Sequence, residues 1–80
     1  MSLLTLSDMK IHQKGRIVGY KAGDEHYRRR LMAMGLLPGT EFYISRIAPL
    51  GDPVELTIRG FALSLRKNEA NILDIERVSE

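Results

Sequence analysis

Along the second half of the chain apolar and polar residues alternate with a period of two, whereas one earlier stretch carries a helical period. From Thr40 to Ile47, Phe42 and Ile44 interleave with Glu41, Tyr43 and Ser45. Successive side chains of a strand point to opposite faces, so this run predicts a strand with Phe42 and Ile44 inward. From Val54 to Arg59 the alternation is cleaner: Val54, Leu56 and Ile58 share one face, and Glu55, Thr57 and Arg59 the other. Gly60-Phe61 reads as the next reversal, and Ala62 to Lys67 repeats the pattern with Leu63 and Leu65 inward and Ser64 and Arg66 outward. Asn68 to Asn71 reads as one turn held by the Asn68 side chain, before a closing strand, Ile72 to Val78, with Leu73 and Ile75 inward.

Between Asp24 and Met34 the spacing changes, and Tyr27, Leu31 and Met34 fall at i, i+4 and i+7, one apolar stripe of a helix. Asp24 suits the N-cap, Glu25 suits the positive end of the helix dipole, and Gly35 can take the left-handed conformation that ends the last turn. Ahead of the helix, Ser7 and Asp8 suit a turn or cap, and Gly15 opens a first strand, Arg16 to Tyr20. Behind it, Leu36 to Gly39 form a short apolar link with Pro38 and Gly39 in the middle of a tight turn. Pro49, Gly51, Asp52 and Pro53 mark Ala48 to Pro53 as a loop between antiparallel strands. These elements predict a mainly β fold of about five short strands, with one helix between strands 1 and 2. Such strands close most simply into a small, strongly bent barrel without exposed edges.

Composition narrows the reading. Eighty residues predict one domain, residues 1–80, since a second core would be starved of apolar surface. With 44% hydrophobic and 28% charged residues the chain lies well away from compositions that stay unfolded. There is no Cys, which excludes disulfides and thiolate metal sites and is compatible with a reducing cytosol. The opening MSLLTLSDMK lacks the pattern of a secretion signal, and no window approaches roughly 18 consecutive apolar residues. The expected location is the cytoplasm, with any membrane association going through a partner.

The net charge of +2 is too small to imply a nucleic-acid or lipid partner by itself. The local concentration is Arg28, Arg29 and Arg30, which sit about 100° apart on a helix and cannot share one flank. Arg30 is placed to brace the helix against an acidic strand residue. Histidines are confined to His12 and His26, leaving carboxylates such as Asp24, Glu25 and Asp52 as further metal candidates, and no ligand cluster emerges. A weak exposed site at Asp24, Glu25 and His26 competes with plain helix capping. The chain has no Gly-x-x-x-x-Gly-Lys-Ser/Thr loop for nucleotide phosphates and no Gly-x-Ser-x-Gly elbow for an activated serine. The expectation is a binding module with no catalytic residue and no cofactor.

Two segments carry a family resemblance. RLMAMGLLPG, from Arg30 to Gly39, and PLGDPVELTIRGFALSLRKNEA, from Pro49 to Ala70, are similar to the FeoA family of bacterial ferrous iron transport. The Arg-Leu helix, the Gly-Leu-x-Pro-Gly turn, the Gly-Asp-Pro loop and the Ala-Leu-x-Leu-Arg strand from Ala62 to Arg66 occur in the family's order. The resemblance implies an SH3-like barrel acting in the cytoplasm beside FeoB, a membrane transporter with a GTP-binding region. The same barrel ends metal-dependent repressors, but 80 residues leave no room for a DNA-binding domain as well.

The expected partner contact has two parts. Met32 lies off the helix stripe and Leu37 sits in a turn beside Pro38, so these three, flanked by Arg28 and Arg29, suit a partner-binding patch as well as a second side of the core. Leu50, Gly51 and Asp52 form a second candidate surface, because such barrels present ligands to their loops. A nucleic-acid-binding barrel is the alternative; Tyr27, assigned to the core, would be lost to it for stacking. Weak self-assembly is a third reading.

Overall fold

The computed structural model describes residues 3–23 and 25–78. It contains five strands: β1 (Lys14–Tyr20), β2 (Glu41–Ile47), β3 (Val54–Ile58), β4 (Phe61–Leu65) and β5 (Leu73–Arg77). Helix α1 (Glu25–Ala33) joins β1 to β2, and a short helix α2 (Lys67–Ala70) joins β4 to β5. A single 3-10 turn, Leu6–Asp8, precedes β1. The strands form one sheet in the order β4-β3-β2-β1-β5, with antiparallel pairing throughout.

Shared pairing along β2 makes the sheet curl. Its first residues face β1, with Arg16 opposite Glu41, while its later residues face β3, with Ile47 opposite Val54. The register shifts between Ile44 and Arg46 and again between Ile17 and Gly19 in β1, and such bulges add bend and twist. The inward residues read from alternation converge on one core: Phe42, Ile44, Val54, Leu56, Ile58, Leu65, Leu73 and Ile75 are each no more than 2% exposed. Leu63 is half-buried against the same core.

Closure differs from the expected ladder. β4 and β5 are not paired with each other, because α2 carries the chain across the end of the barrel to the far side of β1. The outer edge of β5 is covered instead by Leu4, whose N–H donates to Ile75 O at 2.7 Å and whose carbonyl accepts the Ile75 N–H at 3.0 Å. Among the described residues β4 keeps an open edge.

Local chemistry also moved three assignments. The β3–β4 reversal is Arg59-Gly60, with φ of 47° and 90°, so both central residues take the left-handed conformation of a primed two-residue hairpin. Ile58 pairs with Phe61, which therefore opens β4 instead of turning the chain. In α1 only Leu31 is fully buried, at 1% exposure; Met34 packs partly against the core, and Tyr27 stays half-exposed beside His26. Leu36 joins the core beyond the helix, and Tyr20 packs against it. Asn68 is exposed inside α2 and does not cap it, since the helix starts one residue earlier. Its first N–H groups are taken up by Asp52 Oδ1, which accepts the Lys67 N–H at 3.0 Å, while Glu69 Oε1 accepts the Arg66 N–H at 3.4 Å. Asp24, the expected N-cap of α1, lies outside the described residues.

Candidate functional site

The end of α1 decides which of two adjacent leucines faces solvent. Gly35 takes φ of +99°, and the Leu36 N–H reaches back to Leu31 O at 3.1 Å while the Gly35 N–H bonds Met32 O at 3.0 Å. This paired arrangement is a Schellman motif, which folds the residue after the glycine back under the helix. Leu36 is accordingly 0% exposed and Leu37 48% exposed. Pro38 and Gly39 then turn the chain, the Thr40 N–H bonding Leu37 O at 3.0 Å with Gly39 at φ +92°. The Gly39 N–H also bonds Ile17 O at 2.6 Å, which fastens the turn to β1.

Tyr20 locks the segment from below. Its hydroxyl donates to Leu36 O at 2.7 Å, and burial pushes the phenol pKa up to about 12, with nearby Arg28 opposing the shift. The exposed apolar side chains around this rigid corner are Met32, Leu37 and Phe61, whose ring lies against Gly35. Phe61 was missed because the sequence reading placed it in the reversal with Gly60; it opens β4 opposite Ile58 and is 46% exposed.

The three arginines separate as helix geometry requires. Arg28 Nη2 donates to Glu25 Oε1 at 2.9 Å, and Arg29 stands 4.0 Å from the other oxygen of Glu25. Both lie within one helical turn of Met32. Arg30 turns to the opposite side and pairs with Glu69 Oε2 at 3.0 Å, so its acidic partner belongs to α2 and not to a strand. Arg28 also lines a shallow cleft with Lys21, Ala22, Gly23 and Glu25.

Leu50 and Asp52 lie elsewhere. Leu50 follows the last turn of β2, whereas Phe61 lies past the other end of β3, a strand of five residues spanning roughly 17 Å. The two expected contact regions therefore lie at opposite ends of β3. Leu50 is 96% exposed on a loop braced by the Gly51 N–H to Ala48 O bond at 2.7 Å and by the Ala48 N–H to Pro53 O bond at 3.1 Å. The Asp52 carboxylate is engaged at the start of α2.

Among the described residues no three His, Asp or Glu side chains gather into a metal-holding group. His12 occupies an exposed turn at φ 70°, and His26 lies near Tyr27 at the start of α1. No helix among the described residues is long and apolar enough to cross a membrane.

A model of the FeoA domain matches residues 4–77. The chain belongs to the FeoA family. Its fold is similar to that of an FeoA-like protein of Clostridium acetobutylicum, 39% identical, with a TM-score of 0.89 over 100% of this chain and 92% of that one. FeoA of Stenotrophomonas maltophilia, solved in complex with zinc and described as a procaryotic SH3 domain protein, is 22% identical, with a TM-score of 0.77 over 91% of this chain and 89% of the other. That likeness establishes the fold: a five-stranded SH3-like FeoA barrel. A curated relative of Porphyromonas gingivalis, an Fe(2+) transport protein A/Fe(2+) transporter FeoB fusion protein, is 34% identical over 53 residues. Those residues are 66% of this chain and 6% of the fusion protein's length.

Proposed function

We propose that this FeoA-family chain serves ferrous iron uptake in the cytoplasm by docking on the GTP-binding region of an FeoB-type membrane transporter, acting by contact and not by chemistry. The observation that carries this reading is the Porphyromonas gingivalis relative, which is named for both FeoA and FeoB in one chain. Joining two modules raises their effective concentration to about millimolar, which favours docking between them.

The contact surface is the corner of Met32, Leu37 and Pro38, flanked by Arg28 and Arg29 and extended by Phe61. Its support is physical. Leu37 is exposed on a backbone held by bonds to β1, so it presents an apolar anchor with little ordering cost on binding. The flanking cations sit at the rim, where charge guides encounter more than it adds affinity.

Calorimetric titration of the purified chain against the cytoplasmic region of FeoB, in both nucleotide states and with the membrane segments present, tests the reading. Saturable binding that weakens on Leu37→Glu is expected. Absence of binding under every condition overturns it.

A further inference from the structure

We infer that the end of the barrel bearing Leu50 docks on an anionic lipid surface. Three separate segments meet there. The first is the Pro49–Leu50–Gly51 tip between β2 and β3. The second is the start of α2, tied to that tip by the Asp52 carboxylate and by Lys67, whose Nζ stands 3.4 Å from where a Gly51 Cβ would be. The third is the Lys10–Gln13 turn, held beside the later half of β2 because the His12 N–H bonds Ile44 O at 2.7 Å and the Ile44 N–H bonds Gln13 O at 3.0 Å.

Apolar tips and cations alternate on this end. Leu50 is 96% exposed and Ile11 48% exposed. Lys10, Arg66 and Lys67 belong to these segments and Arg46 to the end of β2 that leads into the tip, and among the described residues none of these four side chains carries an ion pair.

The carboxylates of the same region are each tied to a neighbour, although Asp8 and Asp52 stay exposed. Asp8 accepts the Thr5 N–H at 2.9 Å and hydroxyl at 3.1 Å, Asp52 accepts the Lys67 N–H, Glu55 accepts the Ser45 hydroxyl at 3.0 Å, and Glu69 pairs with Arg30. Lys10, Arg46, Arg66 and Lys67, without ion pairs of their own, are the groups left to meet anionic headgroups.

This combination fits a bilayer better than a protein pocket. Leu50 stands on a convex tip, which can enter the headgroup region but cannot by itself supply the roughly 800 Å2 per partner of a stable protein interface. Cations set back from an apolar tip match the depth order of a membrane, with phosphates above acyl chains. Separate weak contacts of this kind keep a small protein near a membrane-bound partner by raising its local concentration. The inference does not depend on the transporter reading, because its surface lies at the other end of β3.

The test is sedimentation of the purified full chain with vesicles of phosphatidylglycerol and phosphatidylcholine in equal parts, against vesicles of phosphatidylcholine alone. Partition onto the anionic vesicles is expected, falling steeply from low to physiological salt. Leu50→Glu should lower it about tenfold, and Arg66→Glu with Lys67→Glu at least about tenfold. Val18→Ser, an equally simple loss of an exposed apolar group on β1, should leave partition unchanged, with unaltered circular dichroism confirming the fold of each variant. No partition onto anionic vesicles at low salt, equal partition onto neutral ones, or insensitivity to the substitutions overturns the inference. Should the same substitutions abolish FeoB binding while vesicles stay bare, this end is a protein interface and the lipid assignment fails.

Discussion

The carboxylate of Asp52 accepts the backbone N–H of Lys67 at 3.0 Å, which joins the loop carrying Leu50 to the first turn of α2. A helix of four residues cannot sustain itself, so this bond acts as its cap. Asp52→Ala should destabilise the domain by about 1 kcal/mol, lowering the melting temperature by about 4–8 °C. Asp52→Asn, which keeps an oxygen acceptor, should recover most of that loss. Thermal melts followed by circular dichroism measure both.

Two glycines of β1 should respond oppositely to alanine. A Cβ on Gly15 would lie 2.8 Å from the Phe42 ring and 3.2 Å from both Ile75 and Met9. Gly15→Ala therefore forces the core apart and should cost about 1–3 kcal/mol. At Gly19 a Cβ meets nothing within 4 Å and the backbone is not left-handed. Gly19→Ala should be neutral or stabilising by up to about 1 kcal/mol, through a less flexible unfolded chain. Urea unfolding of the two variants separates these effects.

Leu36 and Leu37 are adjacent and should behave as different kinds of residue. Leu36→Ala empties a fully buried position and should cost about 2–5 kcal/mol. Leu37→Glu alters a half-exposed side chain and should stay within about 0.5 kcal/mol of the parent, while weakening FeoB binding by at least about tenfold. Urea melts and calorimetric titration give the two readings on the same samples.

Alkaline pH should loosen the corner beneath α1. Burial raises the Tyr20 pKa from 10.0 to about 12, so the folded protein holds this proton more tightly than the unfolded chain. Its stabilising contribution is complete below pH 10 and is lost as pH rises towards 12. Stability measured across that window should fall, and Tyr20→Phe should flatten the fall while leaving Leu36 O without its donor.

Acid should act at the opposite corner. Hydrogen bonds from the Thr5 backbone and hydroxyl hold the Asp8 carboxyl below its ordinary value of 3.8. Its contribution is present above that value and disappears as pH falls through the lowered folded pKa. Asp8→Asn should reduce the acid sensitivity of the turn ahead of β1, as read from amide exchange at Met9.

Much of the architecture was legible in local pattern because burial in a sheet imposes a strict alternation. Val54, Leu56 and Ile58 face the core as their spacing requires, and the left-handed φ of Gly35 and Gly39 follows from the absence of a side chain. Reading failed where partners distant in sequence took over a local task. Asn68 was expected to hold its own turn, but Asp52 reached the helix first. Tyr27 was expected inward but stays half-exposed, Leu31 being the residue of α1 that is fully buried. Leu37, which the sequence left open between surface and core, is exposed because the glycine turn rotates consecutive residues to opposite sides.

Residue order alone determined the number of strands, the single long helix, the inward residues and the family motifs, since each depends on spacing within a few residues. Tertiary structure decided which surfaces exist. It set the Leu50 loop at the end of β3 opposite Phe61, and it brought Lys10, Arg46 and the Arg66-Lys67 pair to that end from three places in the chain. The physical reason is that side-chain periodicity is a local property of the backbone, whereas a charged or apolar patch depends on which strands pair and which segments they bring together.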